Sequence, residues 1–102
     1  MSDRYNDKRN CQILVYAVRY ALTCDRFAPE IMHDELMIHW PFLPESVQKM
    51  INCDIKGILD SGLINDAVER SLWQDITDMA DLHALNNMRV NHGARPLKKM
   101  PR

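Results

Sequence analysis

Apolar residues in this chain recur at spacings of three and four. The first long segment shows it best: Cys11, Leu14, Val15, Val18, Ala21 and Leu22 fall at i, i+3, i+4, i+7, i+10 and i+11. At 3.6 residues per turn this spacing gathers them into one stripe along a helix, whereas a strand would scatter them over both faces. Val47, Met50, Ile51, Ile55, Ile58 and Leu59 repeat the pattern, and so do Leu72, Trp73, Ile76, Met79, Ala80 and His83. No segment alternates apolar and polar residues between turn signals as a half-buried strand does. The sequence predicts an all-α chain.

Capping residues divide it into four helices, over about 7–23, 29–40, 44–61 and 66–86. Asn6 or Asp7 can accept hydrogen bonds from the free N–H groups that open the first helix. Thr23-Cys24-Asp25 supplies short polar side chains that compete for backbone bonds at its end. Pro29 and Pro44 sit where a first helical residue needs no N–H, each followed by a glutamate suited to the positive helix end. Ile31, Met32, Leu36 and Trp40 are expected to line the inner side of the second helix, which Pro41 must stop. Gly62 can close the third helix in a left-handed conformation, with Leu63 folding back on the last turn. Asp66 with Glu69 three residues on resembles a capping box for the fourth. Order is expected to fade around Asn86-Asn87.

With 102 residues, 46% of them apolar, the chain has the material for one core. A compact, bundle-like, single helical domain over residues 1–88 is therefore expected. Its charge is uneven. Residues 1–88 hold all 14 acids and carry a net −6, whereas residues 89–102 hold five Lys or Arg and no acid. That second segment, with Gly93, Pro96 and Pro101, reads as a basic, mobile tail. No apolar run approaches the ~18 residues of a membrane span. Met1-Ser2-Asp3-Arg4 lacks a secretory leader's apolar core. Cys11, Cys24 and Cys53 are odd in number and widely spaced, as in reducing compartments. A cytoplasmic location is expected.

Catalytic and metal chemistry find no pattern to rest on. His33 and His39 are six residues apart and so point to different sides of a helix, unlike the i, i+4 pair of a zinc-binding helix. The serines at 2, 46, 61 and 71 lie in no nucleophile elbow, and the glycines at 57, 62 and 93 are isolated rather than gathered in a phosphate cradle. Asp34 and Glu35 diverge by about 100° on a helix and cannot act as a paired acid and base. The expectation is a non-enzymatic protein with no catalytic, cofactor-binding or metal site.

Two surfaces are candidates for binding. Asp75, Asp78 and Asp81 form a slanted row on the fourth helix, which from 66 to 81 carries a single cation, Arg70. Such a row can steer a basic protein surface toward the molecule. Trp40 and Phe42, in the apolar connector Trp40-Pro41-Phe42-Leu43-Pro44, can act as aromatic anchors for a partner or for a homodimer. Alternatively, helices two and three make a helix-turn-helix in which Gln48, Lys49, Asn52 and Lys56 face nucleic acid, aided by the basic tail.

The segment Leu14-Val15-Tyr16-Ala17-Val18-Arg19-Tyr20-Ala21-Leu22, followed by Arg26-Phe27-Ala28-Pro29, resembles a pattern in short uncharacterised helical proteins of bacteriophages and prophages. Those have a Tyr-Ala-Leu stretch, then an arginine and an aromatic residue opening the second helix; Trp40-Pro41 and Leu72-Trp73 fit the same pattern. The resemblance spans about half the chain and carries no catalytic residues. It implies a setting in a mobile genetic element and a role as inhibitor of a host nuclease or defence complex, anti-CRISPR proteins included. Together these readings lead to a protein-binding module whose partner is a host protein with a basic surface.

Overall fold

The computed structural model describes residues 5, 7–24 and 29–99. Four helices account for most of them: α1 (Lys8–Thr23), α2 (Pro29–His39), α3 (Glu45–Ser61) and α4 (Ala67–Asn91), with a 3-10 turn over Trp40–Phe42 between α2 and α3. No strand occurs among the described residues. The main packings run α1 to α2, α2 to α4, α4 to α3 and α3 back to α1, a closed ring of four helices. The shortest extent, 20 Å, is about two helix diameters. The all-α, four-helix reading of the sequence holds.

Helix α1 follows its pattern residue for residue. Its buried side is Cys11, Leu14, Val15, Val18, Ala21 and Leu22. Asp7 is the N-cap, its Oδ1 accepting from the Arg9 N–H at 2.9 Å; the other candidate, Asn6, lies outside the described residues, as does Arg26-Phe27. At the far end Thr23 Oγ1 donates to the Arg19 carbonyl at 2.9 Å, the competing bond expected of a short polar side chain there.

Helix α2 departs from expectation. Met32 and Leu36 are buried, but Ile31 is turned outward. The helix ends at His39, two residues before Pro41, the tighter 3-10 turn follows, and the Leu43 N–H closes that turn on the Trp40 carbonyl at 3.1 Å. This fold-over drives Trp40 into the core, which also holds Trp73, both essentially inaccessible to solvent. Tyr5 packs edge-on against His39 and donates from its hydroxyl to Glu35 Oε1 at 2.6 Å.

Helix α3 buries Ile51, Ile55 and Leu59; Met50, expected on the stripe, is exposed. Gly62 closes it at φ +76, but Leu63 does not fold back as expected. Ile64 is the residue that returns to the core, leaving Leu63 in solvent. Arg70 then ties the connection together, its Nη1 donating to the Leu59 and Ile64 carbonyls at 3.3 and 3.1 Å. Asp66 caps α4 by accepting from the Glu69 N–H at 2.8 Å. Trp73, Ile76 and Ala80 are buried as expected, joined by Thr77, whose hydroxyl donates to the Gln74 carbonyl.

Helix α4 runs on to Asn91 rather than fading near residue 86, about 37 Å at 1.5 Å per residue. What holds its last turns is the chain that follows. The Asn86 carboxamide pairs with the peptide unit of Leu97 in both directions, at 2.9 and 2.7 Å, and Arg89 Nε donates to the Arg95 carbonyl at 2.9 Å. Residues 94–97 are thereby laid back along the helix, a return made possible by Gly93 at φ +83.

Candidate functional site

The sequence placed α2 with one apolar side; it has two. Beside the inward Met32 and Leu36, Ile31 and Ile38 face outward, 65% and 64% exposed, and Phe42 in the turn that follows is 51% exposed. Positions 31, 34 and 38 lie at i, i+3 and i+7 of α2, so Asp34 stands within the row, its side chain in solvent, while Phe42 follows beyond the helix end in the 3-10 turn. Burying both sides of an 11-residue helix would need cover on both, and the ring of four helices supplies it on one. The outcome is a short run of apolar side chains facing water on the outer side of α2.

Carboxylates border this stripe, and no Lys or Arg stands on α2. Glu30 and Asp34 belong to α2 itself. Asp75 of α4 lies away from this stripe: its Oδ2 is 3.5 Å from Nε2 of His33, about 160° around α2 from Ile31. The acidic row of α4 therefore does not act as one unit. Asp75 reaches the α2 edge; Asp78 faces solvent, accepting from Gln74 Nε2 at 3.0 Å. Asp81 turns the other way and accepts from Asn52 Nδ2 and Lys56 Nζ of α3, both at 2.9 Å. Of the three, Asp81 fastens α3 to α4, whereas Asp75 and Asp78 remain available to a partner.

Trp40 requires a correction. As an aromatic anchor for a partner it would have to be exposed, and it is 1% exposed. Pro41 bends the chain so that the indole plugs the bundle while Phe42 is left outside. Of the pair, Phe42 alone belongs to the surface.

The four side chains proposed to read nucleic acid are all engaged within the molecule. Gln48 Nε2 donates to the Trp40 carbonyl at 2.7 Å, Lys49 pairs with Glu45 at 3.2 Å, and Asn52 and Lys56 are both held by Asp81. Binding bases would mean breaking these contacts first.

Among the described residues no three His, Cys, Asp or Glu side chains are placed to hold a metal ion, and no helix is long and apolar enough to cross a membrane. Comparison with protein-family models, curated proteins and solved structures finds no match.

Ile31 and Ile38 are exposed apolar residues that sequence reasoning did not place on the surface. The signal was available: Ile31, Met32, Leu36, Met37 and Ile38 occupy well over half the circumference of a short helix, more than a peripheral helix of a small bundle can bury.

Proposed function

We propose that the protein is a non-enzymatic binding module that presents the outer face of α2 to a basic partner protein and thereby modulates it. The observation that carries this reading is the exposed pair Ile31 and Ile38 with the exposed Asp34 between them, Phe42 exposed in the turn that follows, and no cation on the helix. An apolar centre supplies affinity through desolvation, while the charged border speeds and selects encounter. The partner's complementary surface has apolar side chains or a groove at its centre, with Lys and Arg around it. The resemblance to phage and prophage proteins supports a bacterial cytoplasmic setting, and makes a host nuclease or defence complex, whose nucleic-acid groove is basic, a fitting partner.

The test is capture from a nuclease-treated bacterial lysate by tagged protein, with quantitative mass spectrometry. A host protein enriched by the native chain, and lost when Asp34, Asp75 and Asp78 are reversed to Lys, supports the reading. Host proteins that stay enriched after the reversal, or that are captured only when the nuclease is omitted, overturn it.

A further inference from the structure

The return of the chain after α4 fixes a group of cations in place. The Ala94 N–H donates to the Arg89 carbonyl at 2.8 Å and the Gly93 N–H to the Val90 carbonyl at 3.0 Å, the paired bonds of a helix end closed by glycine. Beyond them, Asn86 grips the Leu97 peptide unit and Arg89 Nε the Arg95 carbonyl. The segment so held carries Arg95, Lys98 and Lys99, all exposed, and returns along the turns that hold the half-buried Arg89.

Arg19 pairs with Asp54, Lys49 with Glu45 and Lys56 with Asp81, while Arg70 is engaged by backbone carbonyls. Arg89, Arg95, Lys98 and Lys99, by contrast, have no ion-pair partner among the described residues. The last acid in the sequence is Asp81, and Lys56 already neutralises it. A cation in the last turn suits the negative end of a helix, which accounts for Arg89. It does not account for three more on the chain folded back from that end. Gathering like charges there is unfavourable, and no carboxylate of the described residues offsets it.

We infer that this end of the molecule is a phosphate-binding surface for the backbone of a nucleic-acid duplex, bound without regard to base sequence. Guanidinium and ammonium groups both hold phosphate oxygens, and a duplex supplies the repeated negative charge that four unpaired cations call for. Residues 92–99 include no Asn or Gln to read a base edge, and no Phe, Tyr or Trp on which the bases of a single strand would stack. An anionic membrane would instead need an apolar face beside the cations. Met88 and Val90 are exposed but diverge by about 200° around α4, and so make none. The surface shares no residue with the outer face of α2, and the inference stands apart from the proposed function. At physiological salt so few contacts bind no more tightly than about 10⁻⁶ M, too weakly to carry host proteins through a capture experiment.

The test is fluorescence anisotropy of a labelled duplex of about 20 base pairs, titrated with the full chain at about 20 mM salt, where a few phosphate contacts give measurable binding. Binding is expected, equal for two unrelated sequences, with log Kd rising against log salt at a slope of about 2–4, near 0.9 for each phosphate neutralised. Arg95→Glu with Lys98→Glu and Lys99→Glu should weaken binding at least tenfold and flatten the slope. These side chains are exposed, so circular dichroism should show the triple variant folded. Asn86→Ala keeps every charge but releases the returning chain. It should weaken binding severalfold at an unchanged slope, a split that lost charge does not produce. Absence of binding at low salt overturns the inference, as does a triple variant or an Asn86→Ala protein that binds like the native chain. Equal affinity for phosphatidylserine vesicles or polyglutamate at the same salt also overturns it, since the surface would then answer to negative charge of any kind.

Discussion

Lys56 Nζ on α3 stands 2.9 Å from Asp81 Oδ1 on α4, and Asn52 donates to the same oxygen. The contact fastens two helices that have no other side-chain ion pair between them among the described residues. Hydrogen bonds to a charged group contribute about 1.5–3 kcal/mol, but exposed ion pairs contribute 1 or less. Asp81 is about a third exposed, so Asp81→Ala is expected to cost about 1 kcal/mol. Asp78→Ala, whose carboxylate fastens no second helix, should stay within about 0.5 kcal/mol. Urea denaturation separates them, and equal losses would contradict the division of the acidic row.

That division shows where a sequence can and cannot be read. The stripe of α1 was legible because its polar and apolar residues separate cleanly around the helix, so one face alone can be buried. In α2 the two apolar sides compete, and the packing of the helix against α4 and α1, a tertiary fact, leaves Met32 in and Ile31 out. The row of aspartates was legible as a row. That one end binds His33 and the other Lys56 depends on two other helices, and no spacing within α4 encodes it. Likewise Leu63 and Ile64 are equally apolar, and the left-handed turn at Gly62 decides which of them faces the core.

Trp40 and Phe42 should behave oppositely. Truncating a buried tryptophan costs about 3–5 kcal/mol through lost burial and the cavity left behind. Trp40→Ala is therefore expected to lose most of the stability of a domain this size, whereas Phe42→Ala should change it by less than about 0.5 kcal/mol. Thermal unfolding of the two variants checks this. Comparable losses would place Phe42 in the core and remove it from the binding face.

Cys11 gives the molecule a defined alkaline weakness. Burial, with a smaller contribution from the Asp7 carboxylate, pushes its thiol above the ordinary 9.0, and its Sγ donates to the Tyr5 carbonyl at 3.1 Å. The folded state thus favours the protonated thiol, and in the unfolded chain the thiol ionises first. The resulting stabilisation is fully present below pH 9.0 and is lost as pH rises through the higher folded value. Melting temperatures of the native chain and of Cys11→Ala, measured across that range, should differ most below pH 9.0 and converge above it. A constant difference would mean that the thiol titrates alike in both states.

The outer face of α2 is the centre of the functional account, and one comparison tests it most directly. Ile31→Glu with Ile38→Glu puts charge at two largely exposed positions, so the helical spectrum and melting temperature should persist. In quantitative capture from a nuclease-treated bacterial lysate, a protein enriched by the native chain should fall at least tenfold with this double variant, as expected when central interface residues each contribute about 1 kcal/mol or more. It should remain enriched when Tyr16 and Tyr20, exposed on α1, are changed to Ala. Capture that survives the double variant undiminished would contradict the account.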